Sequence, residues 1–491
     1  METTTIIVGT GFAGLGTAMR LKQQGRDDFV VLERAHDVGG TWRNNTYPGC
    51  ECDVPSHLYS FSFAPNPDWT CTYPKQPEIW AYLRRCAERS GVMSHIRFGA
   101  EMTSARWDES RARWVVETSS GTYVGRFLVL GTGPLSEPRI PKIAGIERFA
   151  GTLFHSAGWR HDHDLSGERV AVVGTGASAI QFVPAIQPRV ARLSVFQRTP
   201  AWILPHPNRT LLRAERWLSR RAPLTQRMRR LGVYLTRELV VLGLTVDPRI
   251  MAAGEAAARR HLRAQVTDSG LRDKLTPRYR LGCKRILISN DFYPALMQPN
   301  TELVTERLVE VRPHSVVTDD GKERAVDTII AGTGFKVTDM PIAGIVRGRG
   351  GGSLDEVWSG SPQAYLGTTV AGFPNLFFIT GPNTGLGHTS LVFMIESQIA
   401  YVLDALDHAR RHAVAVIEVR PEVQASYNDG IQRRMRRTVW MTGGCASWYI
   451  DSRGRNSTLW PDFTWPFHRR TERFDVAAYR LTREPVTAAA A

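Results

Sequence analysis

Cysteine is scarce in this 491-residue chain: there are six, none in a CxxC pair. Scattered in this way they read as free thiols in a reducing compartment, with the cytoplasm as the default. Long apolar runs are also missing, since nothing approaches the ~18 uninterrupted residues of a membrane span. The most apolar long segment, Val233 to Leu244, is broken by Arg237 and Glu238. The first apolar run, Thr5 to Val8, passes straight into a glycine-rich turn, so no secretory signal is expected. No His/Cys/Asp/Glu group has metal-ligand spacing, and His161-Asp162-His163-Asp164 reads as a solvated loop. Acids are in deficit, 47 against 62 Lys and Arg, a net charge of +15. That balance admits nucleic acid, an anionic membrane surface or a polyanionic nucleotide as partner. A 42% apolar content with 13 Trp excludes a disordered chain. At roughly 150 residues per domain, two or three domains are expected.

What is present reads as α/β. Short continuous apolar runs of the kind buried on both faces of a parallel sheet end in glycine turns. They are Thr4–Val8 before Gly9, Arg169–Val173 before Gly174, Phe127–Leu130 before Gly131-Thr132-Gly133, and Thr328–Ile330 before Ala331-Gly332-Thr333-Gly334. Helical patterns follow the first two. The segment from His206 to Arg285 differs, with 19 Lys/Arg against six Asp/Glu. Within it Leu224, Met228, Leu231, Leu235, Leu239 and Leu242 fall on one helical face. Pro223 separates that helix from a shorter one bearing Trp217 and Leu218. The segment reads as a helical insertion whose leucine stripe is buried and whose basic residues are solvated. The Ala488–Ala491 end is expected to fray.

Gly9-Thr10-Gly11-Phe12-Ala13-Gly14 joins a strand to a helix, and the next strand, Val30–Leu32, ends in Glu33-Arg34. Such a turn needs Gly9 for its tightness, Gly11 so the backbone can approach a pyrophosphate, and Gly14 for helix–strand packing. Glu33 can accept from ribose hydroxyls. A second copy, Gly174-Thr175-Gly176-Ala177-Ser178-Ala179, is followed by helical Gln181, and its second strand ends in Gln197-Arg198-Thr199. An acid there would repel a 2′-phosphate and Arg198 would pair with one, so this site prefers NADPH to NADH.

One acid-ended and one arginine-ended site resemble a two-domain FAD/NADPH flavoprotein, in which the N-terminal GxGxxG takes the FAD. The resemblance narrows at Phe149-Ala150-Gly151-Thr152-Leu153-Phe154-His155-Ser156-Ala157-Gly158-Trp159. This is similar to the FxGxxxHxxxW fingerprint of type I Baeyer–Villiger monooxygenases, with Arg160 where that family has Pro or Asp. Gly39-Gly40-Thr41-Trp42, Tyr47-Pro48-Gly49 and Asp53 reproduce a second motif of the family, GGxWxxxxYPGxxxD. Further similarity runs through Ser56–Phe61, Gly381–Gly385 and Ser447-Trp448, so that it spans residues 5 to about 467.

The resemblance implies two Rossmann-like dinucleotide-binding domains, for FAD and NADPH, with the helical insertion in the second. The expected division is 1–148 and 336–491 for FAD, 149–205 and 281–335 for NADPH, and 206–280 for the insertion. It implies an NADPH- and O2-dependent enzyme in which a C4a-peroxyflavin attacks a ketone carbonyl to give an ester or lactone. By the Gly282-Cys283-Lys284-Arg285 match, Arg285 is the arginine beside the flavin, Asp53 its partner, and Lys284 a ligand of the 2′-phosphate. An anionic oxygen needs such a fixed, always-charged cation. Gly40, Thr41, Trp42 and Tyr59 match flavin-side positions, and Trp448 a loop tryptophan near the nicotinamide. His155 and Trp159 are implied to couple domain motion to cofactor state.

Two other readings of the same scaffold are an N- or S-oxygenase and an NADPH-dependent flavin disulfide reductase. The reductase is disfavoured because Trp42 stands where its first cysteine would be and Cys50 and Cys52 are one residue apart. Nucleic acid is not an expected partner and integral membrane association is not expected, although an apolar substrate is compatible with loose peripheral membrane contact.

Overall fold

A computed structural model describes residues 1–483, so the Ala488–Ala491 end lies outside it. The first glycine turn joins β1 (Glu2–Val8) to α1 (Phe12–Gln23), and β2 (Phe29–Glu33) lies parallel to β1. Between β2 and the next strand come α2 (Thr41–Asn44), a long irregular loop and α3 (Gln76–Arg89). Then follow β3 (Ile96–Phe98), β4 (Met102–Asp108), β5 (Arg113–Thr118) and β6 (Gly121–Leu130). The sheet runs Val346–Arg347, β4, β5, β6, β1, β2, β3, and Leu376–Phe378 also pairs in parallel with β6. Every residue of β2 is buried, as its continuous apolar run requires of a strand covered on both faces.

The second sheet is wholly parallel. It contains β7 (Thr152–His155), β8 (Arg169–Val173) and β9 (Arg192–Phe196), in the order Thr301–Val304, β9, β8, Thr328–Ala331, β7. The Phe-x-Gly-x-x-x-His segment thus forms an edge strand ending at His155. After β8, α4 (Ala179–Ile186) repeats the role of α1. In each sheet the strand that ends in Gly-Thr-Gly lies beside the strand that enters the dinucleotide turn. A Cβ on Gly9 would stand 2.7 Å from the Gly131 carbonyl oxygen, and one on Gly174 2.5 Å from that of Gly332. Both glycines also have positive φ, +98° and +109°, which only glycine adopts readily.

The segment after β9 departs through β10 (Ile203–Leu204) and returns through β11 (Leu287–Ile288), which pair in parallel as a neck. It carries α5 (Arg213–Arg221), α6 (Pro223–Glu238) and α7 (Ala252–Gln265), with Pro223 starting α6. Here the expected burial is wrong. Leu224, Met228, Leu231, Leu235 and Leu239 face outward, each between 46% and 67% exposed, and Leu242 is half-buried. The physical reason is that α6 lies over loop backbone that needs donors. Arg230 donates to the carbonyls of His57 and Ser60, Gln226 to that of Asn66, and Arg237 to the Tyr73 hydroxyl. Glu238 is buried, accepting from the Thr464 amide and hydroxyl and paired at 3.0 Å with His388. Partnerless carbonyls under a leucine face would cost more than exposing the stripe.

Cysteine also departs from expectation. Cys283 and Cys445, 162 positions apart, form a disulfide, while Cys50, Cys52, Cys71 and Cys86 are free. Sequence spacing does not register two cysteines that only the fold brings within bonding range. Among the described residues no helix is long and apolar enough to cross a membrane.

The tightest approach is at Gly14, where a Cβ would lie 1.9 Å from the Gly9 carbonyl oxygen. Gly14→Ala is therefore expected to cost ~3 kcal/mol in urea unfolding, because backbone rather than a pliable side chain must give way.

Candidate active site

Asp53 sits on the irregular loop between α2 and α3, and Arg285 at the returning neck of the insertion. They meet in a bidentate pair, with Arg285 Nε donating to Oδ2 and Nη2 to Oδ1, both at 2.7 Å. Arg285 Nη1 has no hydrogen-bond partner among the described residues. The pair lies deep in the protein, yet the Arg285 side chain is 35% and that of Asp53 25% exposed, as at the floor of a cleft. Burial raises the Asp53 carboxyl, but the Arg285 guanidinium outweighs it, with help from Arg237, and holds Asp53 below the usual carboxylate range. The Asp53 charge in turn raises Arg285 against burial, so both remain charged. Gly282, at φ +91°, makes the turn that delivers Arg285, and a Cβ there would meet Leu244 at 2.5 Å.

From this pair contacts lead to both dinucleotide turns. Tyr59 is half-buried within electrostatic reach of Asp53 and Arg285, accepts from Trp42 Nε1 at 3.0 Å, and makes an edge contact with Phe12 at 5.2 Å. Phe12 opens α1, whose first turn has neither a side-chain cap nor an acid, so its N–H groups are free for an anion. Gly40 packs on the turn, where a Cβ would stand 2.9 Å from the Gly11 Cα. Thr41 starts α2 beside it. Glu33 is buried at the end of β2, accepting from the Thr10 amide and hydroxyl and the Ala35 amide and pairing with Arg43 at 3.0 Å. A ribose hydroxyl would share these oxygens. The turn thus fits a dinucleotide pyrophosphate, with Ala13 and Gly14 in the first helical turn.

The second turn fits an anion in the same way. No side chain caps α4 and no acid lies in its first turn; Gly176 and Ala177 are exposed, and a Cβ on Gly176 would meet nothing within 4 Å. Thr175 is buried in the turn and Ser178 borders Tyr47. Arg198 is exposed just past β9, followed by half-buried Thr199. It lies close enough to Lys284 that, after burial, its charge is what lowers the Lys284 ammonium. Neither cation has an ion-pair partner among the described residues, a disposition that suits a phosphate ester better than any residue present.

Five residues singled out in the sequence are engaged away from the pair. Gln181 accepts from the Tyr47 hydroxyl at 3.0 Å and donates to the Glu51 carbonyl at 3.0 Å, tying α4 to the Asp53 loop. A Cβ on Gly49 would come within 2.7 Å of the Gln181 carbonyl oxygen, so that approach depends on glycine. Arg34 pairs with Glu137 at 2.6 Å on the surface. Trp448 is 47% exposed and packs on Tyr449 at 4.3 Å. His155 is buried, with Nδ1 accepting from the Ala157 amide and its ring edge-on to Phe335 at 5.6 Å. Trp159 packs between Phe154 and Phe182.

Two residues at the site carried little signal in the sequence. Tyr449 is buried within electrostatic reach of Arg285 and Asp53, its hydroxyl unpartnered among the described residues. Arg237 acts on Asp53 from α6; its one sequence cue is that, with Glu238, it interrupts an apolar run. The disulfide fastens the Arg285 segment to the segment that holds Trp448 and Tyr449.

A family profile described as pyridine nucleotide-disulphide oxidoreductase matches residues 6–212. A Baeyer–Villiger monooxygenase of Pseudomonas aeruginosa is 51% identical over 98% of this chain and 92% of its own length. One from Streptomyces coelicolor is 51% identical over 97% of this chain and 92% of its own. Among solved structures, cyclohexanone monooxygenase from Rhodococcus sp. Phi1 bound to NADP+ superposes with a TM-score of 0.88 at 26% identity, covering 99% of this chain and 100% of that one. An oxidized steroid monooxygenase bound to NADP superposes at 0.85 with 31% identity, covering 99% of this chain and 100% of its own. With half its residues shared along nearly its whole length, and with the paired arginine and aspartate set between two dinucleotide turns, the chain belongs to the Baeyer–Villiger monooxygenase family.

Proposed function

We propose that this protein uses NADPH and O2 to insert one oxygen beside the carbonyl of a small-molecule ketone, giving an ester or lactone, with Arg285 and Asp53 as its catalytic pair. Gly9–Gly14 would hold FAD and Gly174–Ser178 would hold NADPH, and the bound flavin would supply the activated oxygen with NADPH as its reductant. The observation that carries this reading is the geometry of Arg285. Two of its nitrogens are fixed by Asp53, Nη1 has no hydrogen-bond partner among the described residues, and the side chain is partly exposed. A cation held in place before charge develops stabilises an anionic oxygen without reorganisation at the moment of reaction. Asp53 orients the guanidinium through its two hydrogen bonds, and the charge retained on Arg285 is what favours an anionic oxygen at its free side. Arg198 and Lys284 hold the 2′-phosphate of NADPH. Phe12, Trp42 and Tyr59 form an aromatic wall on the flavin side of the pair.

Apolar contact for the substrate is expected where the insertion meets the C-terminal segment. Leu244 and Leu281 there form one buried apolar cluster with Val439, Trp440 and Tyr449, and Cys283 joins it next to Lys284 and Arg285. The thiols argue against reductase chemistry. Burial pushes Cys50 up to about 12 and raises Cys52 as well, so neither supplies a thiolate at neutral pH.

Ketone turnover by the purified holoenzyme is expected to give a product one oxygen heavier, identified by mass spectrometry; oxidation of thioethers or amines alone would assign it to the sibling chemistry. Arg285→Ala is expected to lower ester formation at least ~100-fold, while NADPH still reduces the flavin in anaerobic stopped flow. Retained ketone oxygenation in that variant would refute the role given to Arg285. Arg198→Ala is expected to raise the KM for NADPH about 10- to 100-fold and leave that for NADH little changed, as loss of one charge-assisted phosphate contact predicts.

A further inference from the structure

Helix α6 is turned inside out. Its inward face is the polar one described above, and its outward face is a row of five large apolar side chains from Leu224 to Leu239. That row extends over about 22 Å at the helical rise. Beside it packs α5, where Trp217 is 59% exposed, and Leu212, just before α5, is also exposed. Beyond the end of α6, Val246 and Ile250 are exposed as well. An apolar ridge of this length is more than scattered surface leucines and marks a contact surface.

The charge around the ridge identifies what it meets. Residues 209–250 hold ten arginines and three acids. The acids are used internally: Glu215 pairs with Arg209 and accepts the Leu212 amide, Glu238 is buried with His388 and Thr464, and Asp247 accepts the Arg249 amide. Arg213, Arg221, Arg227 and Arg249 are exposed and have no ion-pair partner among the described residues. A second copy would bring the same unpaired arginines face to face. Nucleic acid would offer phosphates to the arginines but leave the leucine ridge against a polyanion. An apolar strip flanked by arginines, with an exposed tryptophan, complements a layer whose surface is anionic and whose interior is hydrocarbon.

We propose that the outer face of α5 and α6 docks this enzyme peripherally on an anionic lipid surface. The leucine ridge and Trp217 enter the acyl boundary, and the unpaired arginines lie at the headgroups. The same helix presents Arg237 toward Asp53, so α6 is a wall shared by the docking face and the cleft.

The test is co-flotation of the FAD-loaded enzyme with vesicles of phosphatidylcholine containing 30% phosphatidylglycerol by design (~30%), against pure phosphatidylcholine. Binding is expected to the anionic vesicles, to weaken with salt, and to be near background on the neutral ones. A Leu231→Ser/Leu235→Ser variant is expected to lose at least ~10-fold in partitioning, with NADPH oxidation on a water-soluble ketone and thermal midpoint unchanged. Arg221→Gln/Arg227→Gln is expected to flatten the salt dependence. No flotation with anionic vesicles overturns the proposal, as does equal binding by the leucine variant. A melting point lowered by that variant would show the stripe buried and overturn it too. So would a dimer in sedimentation that the leucine variant dissociates without any vesicle binding. None of these outcomes depends on which carbonyl compound is turned over.

Discussion

The Arg285–Asp53 pair is the constraint around which the cleft is organised. An arginine and an aspartate separated by 232 positions are held in one bidentate contact, which requires the neck of the insertion and the loop after α2 to arrive together. Each segment is shaped for that arrival. Gly282 turns the chain into Arg285, and Gly49 lets the Asp53 loop lie against α4, where Gln181 grips it. The disulfide at Cys283 anchors the arginine segment to the chain around Cys445. Two opposite charges enclosed together are worth keeping only with good geometry, because an unpaired partner would bear the desolvation cost alone. Here the geometry is good and a free guanidinium nitrogen remains, so the same contact that stabilises the cleft also leaves it chemically competent.

The insertion shows how demand from the rest of the protein sets a helix's orientation. Loop segments such as His57–Ser60 leave carbonyls beneath α6, and only a face carrying donors such as Arg and Gln can answer them. The hydrophobic face is consequently directed to the outside. One unit therefore carries two surfaces of different chemistry, a polar underside that buttresses Asp53 through Arg237 and an apolar ridge bordered by arginines. The positive balance of the chain is concentrated in this place, and of its cations only Lys284, Arg285 and nearby Arg198 are proposed to take part in the cofactor and oxygen chemistry.

Much of the fold was legible because parallel strands buried on both faces have to be short continuous apolar runs. Arg169–Val173 is read to the residue, and Phe29–Glu33 and Thr328–Ala331 to within one. The dinucleotide turns were legible because their glycines answer backbone approaches that no other residue allows. Phe-x-Gly-x-x-x-His proved to be an edge strand of the second sheet as well as a connection into it. The leucine stripe misled because periodicity establishes that a helix has two faces and does not establish which one is covered. Tyr449 and Arg237 went unassigned for a related reason: each acts on Arg285 or Asp53 across the fold, and neither belongs to a local pattern.

By itself, the sequence determined what depends on neighbours along the chain. The two glycine-rich strand-to-helix turns, the acid-ended and arginine-ended second strands, and the residue types of the Asp53 and Arg285 motifs are all local, set by backbone geometry and charge over a few positions. Tertiary structure alone decided the pairing of Arg285 with Asp53, the bond between Cys283 and Cys445, the close approach of Arg198 to Lys284, and the outward turn of the α6 leucines. Those depend on which distant groups lack a partner, and the energy of satisfying a buried charge or carbonyl is known only once the chain around it is in place.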